Sequence, residues 1–141
     1  LPRIIALDFG LKRTGIAVTD PLQIIASSLE TVRTHLLIPY LKAYFLKEPV
    51  ECIVLGYPRD AFNRETNTTK PVEQLAKKLA LEFPTLKLVL EDERFTTKMA
   101  IQSMIAAGTS KAYRQEKGNV DMVSATIILQ SYLERKQNGF A

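Results

Sequence analysis

Apolar and polar positions divide the chain into short segments of changing period. Arg3 to Asp8 is a continuous apolar run that ends in an acid. After Phe9-Gly10-Leu11-Lys12-Arg13 a second run, Thr14 to Thr19, follows, and the two read as strands joined by a tight turn. Pro21 breaks the second, and Ala26 to Arg33, rich in Ser and Thr with alternating apolar positions, predicts a third strand at a sheet edge. From Leu36 to Leu46 the spacing of Leu37, Leu41, Tyr44 and Phe45 is helical, and Pro49 lies just past its end. Cys52 to Leu55 predicts a buried strand closed by Gly56, followed by a long polar loop from Tyr57 to Thr69. Pro71 fits the first turn of a second helix with Val72, Leu75, Leu79 and Phe83 as its stripe, and Leu86 to Glu91 is a fifth strand. A third helix runs from a Thr96 or Thr97 cap to about Ala107, and a basic linker spans Thr109 to Gly118. A final helix, N-capped by Asn119, runs from Val120 to about Lys136. The predicted order is β-β-β-α-β-α-β-α-α, an α/β fold.

The length of 141 residues and 46% apolar content suit one domain over residues 1–141 with a sizeable core. One cysteine, Cys52, excludes an internal disulfide, and with His35 the only histidine, a zinc site of Cys/His type is excluded too; any metal must be held by oxygen. The formal charge of +4 fits a polyanionic partner. The first residues are too soon charged for a signal peptide, and no apolar run reaches the ~20 residues of a membrane helix, so a cytoplasmic protein without membrane association is expected. Monomer and homodimer both remain open.

The acids carry the candidate chemistry. Asp8 shares a strand face with Ile4 and Ala6, where an acid needs a partner; it fits either a turn carboxylate accepting backbone N–H bonds or a carboxylate aimed at metal. Glu91-Asp92-Glu93 ends another apolar run, and its mutual repulsion is relieved by a cation or by Arg94. Asp121 lies on the helical stripe of Ala125, Ile128 and Tyr132. A first-turn acid complementing the helix dipole accounts for its place near the terminus but not for that alignment. Acids at two strand ends and one helix start suit Mg²⁺ or Mn²⁺. Two such ions roughly 3.5–4 Å apart would activate a water and stabilise the leaving oxygen in phosphodiester cleavage.

Leu7-Asp8-Phe9-Gly10 with Thr14-Gly15-Ile16-Ala17-Val18, then Gly56-Tyr57-Pro58, Asp92-Glu93-Arg94-Phe95-Thr96-Thr97, and Val120-Asp121 through Ile128 to Leu133 together resemble the YqgF (RuvX-like) family of the RNase H-like superfamily, over essentially the whole length. The resemblance implies a five-stranded mixed sheet, order 3-2-1-4-5, with helices on both faces. It implies Asp8, Glu93 and Asp121 as catalytic residues and Asp8, Asp92, Glu93 and Asp121 as candidate ligands of divalent metal, with Glu93 the first choice of the adjacent pair. The activity implied is a metal-dependent nuclease, either processing the 5′ end of precursor 16S rRNA, the favoured reading, or resolving Holliday junctions. Two departures stand out. Arg59 to Arg64 replaces the short Asn-x-x-Gly-type turn frequent after Gly56-Tyr57-Pro58, and positions 118 and 124 are Gly and Ser where resolvases of the superfamily carry a further acid in the last helix.

Lys12, Arg13, Arg59, Arg64, Arg94, Lys111, Arg114 and Lys117 fall in segments near these acids and form a candidate surface for structured RNA or branched DNA; solvated loop charges are the plain alternative for each. Tyr57 and Phe95 fit either base stacking or packing. An actin-like sugar kinase is disfavoured, because a second Asp-x-Gly loop and a second lobe are missing. A non-catalytic nucleic-acid-binding module of the same shape is the third alternative left open by the sequence; the acids discriminate against it, since a pure binder gains nothing from negative charge facing a phosphate backbone.

Overall fold

A computed structural model describes residues 1–60, 62–93 and 96–139, without the side chains of Thr97 and Lys117. The strands are β1 (Arg3–Phe9), β2 (Arg13–Thr19), β3 (Ala26–Arg33), β4 (Val50–Tyr57) and β5 (Lys87–Asp92). The helices are α1 (Leu37–Lys47), α2 (Thr69–Glu82), α3 (Thr96–Ala106), α4 (Lys111–Gln115) and α5 (Lys117–Gln137), with a 3₁₀ turn at Thr34–Leu36. The sheet order is β3-β2-β1-β4-β5, as the resemblance implies; β1–β2 and β2–β3 are antiparallel, while β1–β4 and β4–β5 are parallel.

The strand period sorts the core into two layers. Ile4, Ala6, Ala17, Cys52 and Val54 face α5 and pack on Ala125, Ile128, Leu129 and Tyr132. Ile5, Leu7, Ile16, Ile53 and Leu55 face the other way, onto Leu37 and Leu41 of α1 and Val72 and Leu79 of α2. Continuous apolar strands are what a sheet covered on both faces requires. The β2–β3 turn is closed by Asp20, which accepts the backbone N–H of Leu22, Ile24 and Ile25; these bonds hold its carboxyl below the usual range.

The helical region after β5 departs from the sequence expectation. The basic linker contains α4, capped by Ser110, whose hydroxyl accepts the Tyr113 N–H. Asn119 does not cap α5: the helix begins a turn earlier at Lys117, so Asn119 lies inside its first turn, where its side-chain amide donates to the Tyr113 carbonyl at 3.1 Å. Thr31 of β3 donates to the Gly118 carbonyl at 2.6 Å, tying that added turn to the sheet. Among the described residues, no helix is long and apolar enough to cross a membrane.

Candidate active site

The rows that make the α5-facing core run on into polar chemistry at one end of the sheet. Asp8 continues Ile4 and Ala6 on β1, Gly15 continues Ala17 on β2, and Gly56 continues Val54 on β4. Gly15 is the register partner of Asp8. The two glycines leave the sheet without side chains on either side of the carboxylate, and other groups occupy that space. A Cβ on Gly15 would meet the backbone carbonyl of Asp121 inside contact distance and lie 3.0 Å from the Asp121 Cβ, so α5 sits directly on β2 there. A Cβ on Gly56 would overlap the Glu93 carboxylate and come within 2.8 Å of the Ile128 Cδ1. Glu93 is held by its own N–H, which donates to the Tyr57 carbonyl at the end of β4 at 3.3 Å.

Asp8 and Glu93 therefore meet, and their side chains share a hydrogen bond. Burial is the main reason that both carboxyls are hard to ionise. It pushes Asp8 up to about 7, helped by the charge of Asp121 and opposed by the bond from Glu93. It pushes Glu93 up to about 9, helped by the charge of Asp8, the bond to it and the charge of Asp92. One proton between two carboxylates is the form this geometry favours in the absence of a cation. The turn-carboxylate alternative for Asp8 does not apply, since it stands on β1 itself and bonds Glu93.

Asp121 is half-buried on the same α5 stripe as Ala125, Ile128 and Tyr132. Because α5 starts at Lys117, Asp121 lies beyond the first turn, which removes the helix-dipole explanation for it. It acts electrostatically on Asp8, and its Oδ2 lies 3.5 Å from Arg13 Nε. Asp92 is exposed at the end of β5, opposite Tyr57. Glu91, one residue earlier, is 6% exposed and takes a two-pronged ion pair from Arg135 of α5, a structural contact that sequence spacing does not reveal.

Three buried side-chain atoms among the described residues lack a hydrogen-bond partner: Glu93 Oε2, Arg13 Nε and Ser124 Oγ. Two of them belong to this cluster. An orphaned carboxylate oxygen beside a second carboxylate is a donor set that fits a hard divalent cation, and Asp8 and Glu93 are the residues that could hold one. Among the described residues no three acidic, His or Cys side chains form a ready-made cage, so the structure brings together two of the predicted ligands, with Asp121 nearby and Asp92 exposed but acting on Glu93 through its charge.

The predicted cations are placed as follows. Lys12 and Lys111 are exposed. Arg13 pairs with Asp121. Arg59 stacks on Tyr57, 5.1 Å from its centroid, and donates to its hydroxyl. Arg64 donates to Asp60 at 2.7 Å and lies over Phe62, which is 77% exposed. Arg114 donates to the Thr109 carbonyl. Lys117 opens α5. Arg94 and Phe95 lie outside the described residues. Sequence spacing assigns no role to Gly15, Gly56 or the Arg13–Asp121 pair; a glycine inside an apolar strand is the available signal for the first two.

Residues 2–135 match the RuvX family, described as Holliday junction resolvase. The chain belongs to this family. Within the RuvX family it is 47% identical over 137 residues to a protein of Flavobacterium johnsoniae named "Putative pre-16S rRNA nuclease", covering 97% of this chain and 99% of that one. A Porphyromonas gingivalis protein of the same name is 49% identical over 132 residues, with 94% and 96% covered. Two solved structures share the fold. Thermus thermophilus RuvC in complex with a Holliday junction superposes with a TM-score of 0.64 at 14% identity, covering 99% of this chain and 98% of that one. The Fowlpox virus resolvase with junction DNA gives 0.62 at 12%, covering 95% and 98%. The RuvX chain thus has the RuvC-like RNase H fold.

Proposed function

We propose that this protein is a metal-dependent endonuclease that hydrolyses phosphodiester bonds at the 5′ end of precursor 16S rRNA. The observation that carries the reading is the Asp8–Glu93 pair: two carboxylates pressed together at the end of the sheet, one oxygen unpartnered, with the charge of Asp121 beside them. A proton shared by such a pair leaves one oxygen unsatisfied, and Asp8 and Glu93 together would hold a divalent cation. Mg²⁺ or Mn²⁺, bound there, would supply Lewis-acid activation of water and stabilisation of the leaving oxygen.

The chain's own residues do the rest. Asp8 is fixed by β1 and its pairing to Gly15, and Glu93 by the Tyr57 carbonyl, so both carboxylates are positioned before substrate arrives. The α5 backbone seated on Gly15 holds Asp121 at the same edge. Lys12, on the β1–β2 turn, presents an exposed cation to a phosphate backbone, and the β4–α2 loop presents Arg59 beside Tyr57. Contacts of this kind position a backbone without reading bases, so selectivity comes from the shape of a structured RNA.

RNA processing is favoured over junction cleavage by the name that relatives near 47% identity carry over nearly full length. The family description and the fold support resolution of branched DNA as the second reading. Incubating an end-labelled precursor 16S 5′ leader fragment and a four-way DNA junction with Mg²⁺, Mn²⁺ or EDTA separates them. Metal-dependent cutting of the RNA supports the proposal; cutting of the junction alone replaces it with the second reading.

A further inference from the structure

We propose that Arg13 couples the metal site to the substrate: its guanidinium holds the Asp121 carboxylate until a substrate phosphate takes that carboxylate's place, whereupon Asp121 turns to join Asp8 and Glu93 around the cation. The inference rests on the metal-nuclease reading and adds to it an order of assembly.

Four observations carry it. The Arg13 Nε to Asp121 Oδ2 separation is 3.5 Å, and the side chains are 35% and 26% exposed, so the pair forms in a partly dry environment where charge attraction is strong. Arg13 Nε is nevertheless buried without a hydrogen-bond partner. At Nε the contact is one of charge at 3.5 Å without a directed bond, whereas a phosphate offers a planar guanidinium two short charge-assisted bonds. The α5 backbone at Asp121 is seated on Gly15, the register partner of Asp8, so a side-chain rotation is the motion needed to move the carboxylate. Arg13 is also the register partner of Arg33 across β2–β3, and two cations at that edge attract a polyanion more than either does alone.

The consequences are energetic and reciprocal. In the absence of substrate, Asp121 is repelled by Asp8 and attracted by Arg13. A phosphate that neutralises Arg13 removes that residue's share of the attraction, and Asp121 would then be available with Asp8 and Glu93 to hold a divalent cation. Arg13 is in this respect a positioning residue for Asp121 and a binding residue for substrate. Metal and nucleic acid then each raise the affinity of the other by the same factor.

The test is Mn²⁺ binding to the full chain without nucleic acid, read from the paramagnetic resonance signal of unbound Mn²⁺. Arg13→Gln is expected to bind Mn²⁺ tighter than wild type by about tenfold, within the usual range of site–site coupling. Arg13→Lys, which keeps the charge, is expected to stay near wild type. The tightening should disappear when Asp121→Asn is combined with Arg13→Gln, because the cycle isolates the pairwise effect. A merely structural role for Arg13 would weaken metal binding in Arg13→Gln. The proposal is overturned by unchanged or weaker binding in Arg13→Gln, by equal tightening in Lys12→Gln, or by tightening that persists with Asp121→Asn. No Mn²⁺ binding in wild type, Arg13→Gln and Arg13→Lys alike would overturn the metal reading itself.

Discussion

Replacing Asp8 by asparagine should stabilise the metal-free protein at alkaline pH. The Asp8 carboxyl is pushed from 3.8 up to about 7, mainly by burial, and Glu93 from 4.5 up to about 9. Both shifts are upward, so the folded state retains protons that the unfolded chain has lost. Their contribution is fully present below about pH 4 and is lost as pH rises through the folded values, between about 4 and 9. Three units on Asp8 correspond to about 4 kcal/mol at about 1.4 kcal/mol per unit. The two acids titrate as one unit and solvent reaches part of it, so about 2 kcal/mol is expected at pH 8. The amide introduced by Asp8→Asn keeps the volume, donates to the Glu93 carboxylate and removes the second charge. Urea denaturation in EDTA should find wild type less stable at pH 8 than at pH 5, and Asp8→Asn more stable than wild type at pH 8. Mg²⁺ should reverse that order, because a ligand of the folded state stabilises only the protein that binds it. Equal wild-type stability at both pH values, or a less stable Asp8→Asn protein at pH 8 in EDTA, would refute the reasoning.

The glycines give a paired prediction. Gly56→Ala places a methyl against the Glu93 carboxylate and Ile128 and should cost about 1–3 kcal/mol in urea denaturation. Its cleavage rate should fall more than tenfold, since about 1.4 kcal/mol of displaced positioning is a factor of ten. Gly15→Ala meets the Asp121 backbone, which cannot yield as a side-chain end can, so its loss of stability should exceed that of Gly56→Ala. Arg135→Gln strips the 6%-exposed Glu91 of its ion pair and should lower stability by about 1–3 kcal/mol without changing Mn²⁺ affinity. Neutralising Lys12 should weaken RNA binding and reduce the slope of log K against log salt by about 0.7–0.9, as one lost phosphate contact does; an unaltered slope would place the RNA elsewhere.

The parts legible from sequence are those with local periodicity. Ile4, Ala6 and Asp8 alternate on one strand, and Asp121, Ala125, Ile128 and Tyr132 recur along one helix, so the face of each acid follows from 2.0- and 3.6-residue periods. The edge strand β3 has the bounds its Ser/Thr alternation predicts. What escaped depends on contacts between distant segments. Asn119 has the chemistry of an N-cap, but α5 starts at Lys117, and the bond from Thr31 on β3 to the Gly118 carbonyl supports that earlier start. Within Glu91-Asp92-Glu93, Glu91 is paired with Arg135, 44 residues away, a partner that no local reading supplies. Arg64 and Arg114 are candidate phosphate contacts by their place in segments near the acids, and their bonds to Asp60 and the Thr109 carbonyl are further contacts that sequence position does not reveal. The glycines at 15 and 56 acquire meaning only once α5 and Glu93 are seen to lie on them.

The central claim is that Asp8 and Glu93 form the metal-dependent hydrolytic site. Its most direct test is cleavage of the labelled precursor 16S leader by wild type, Asp8→Asn and Glu93→Gln in Mg²⁺, with folding verified by circular dichroism. The account predicts cutting by wild type, abolished by EDTA and by either substitution in folded protein. Undiminished cutting by folded Asp8→Asn or Glu93→Gln would contradict it.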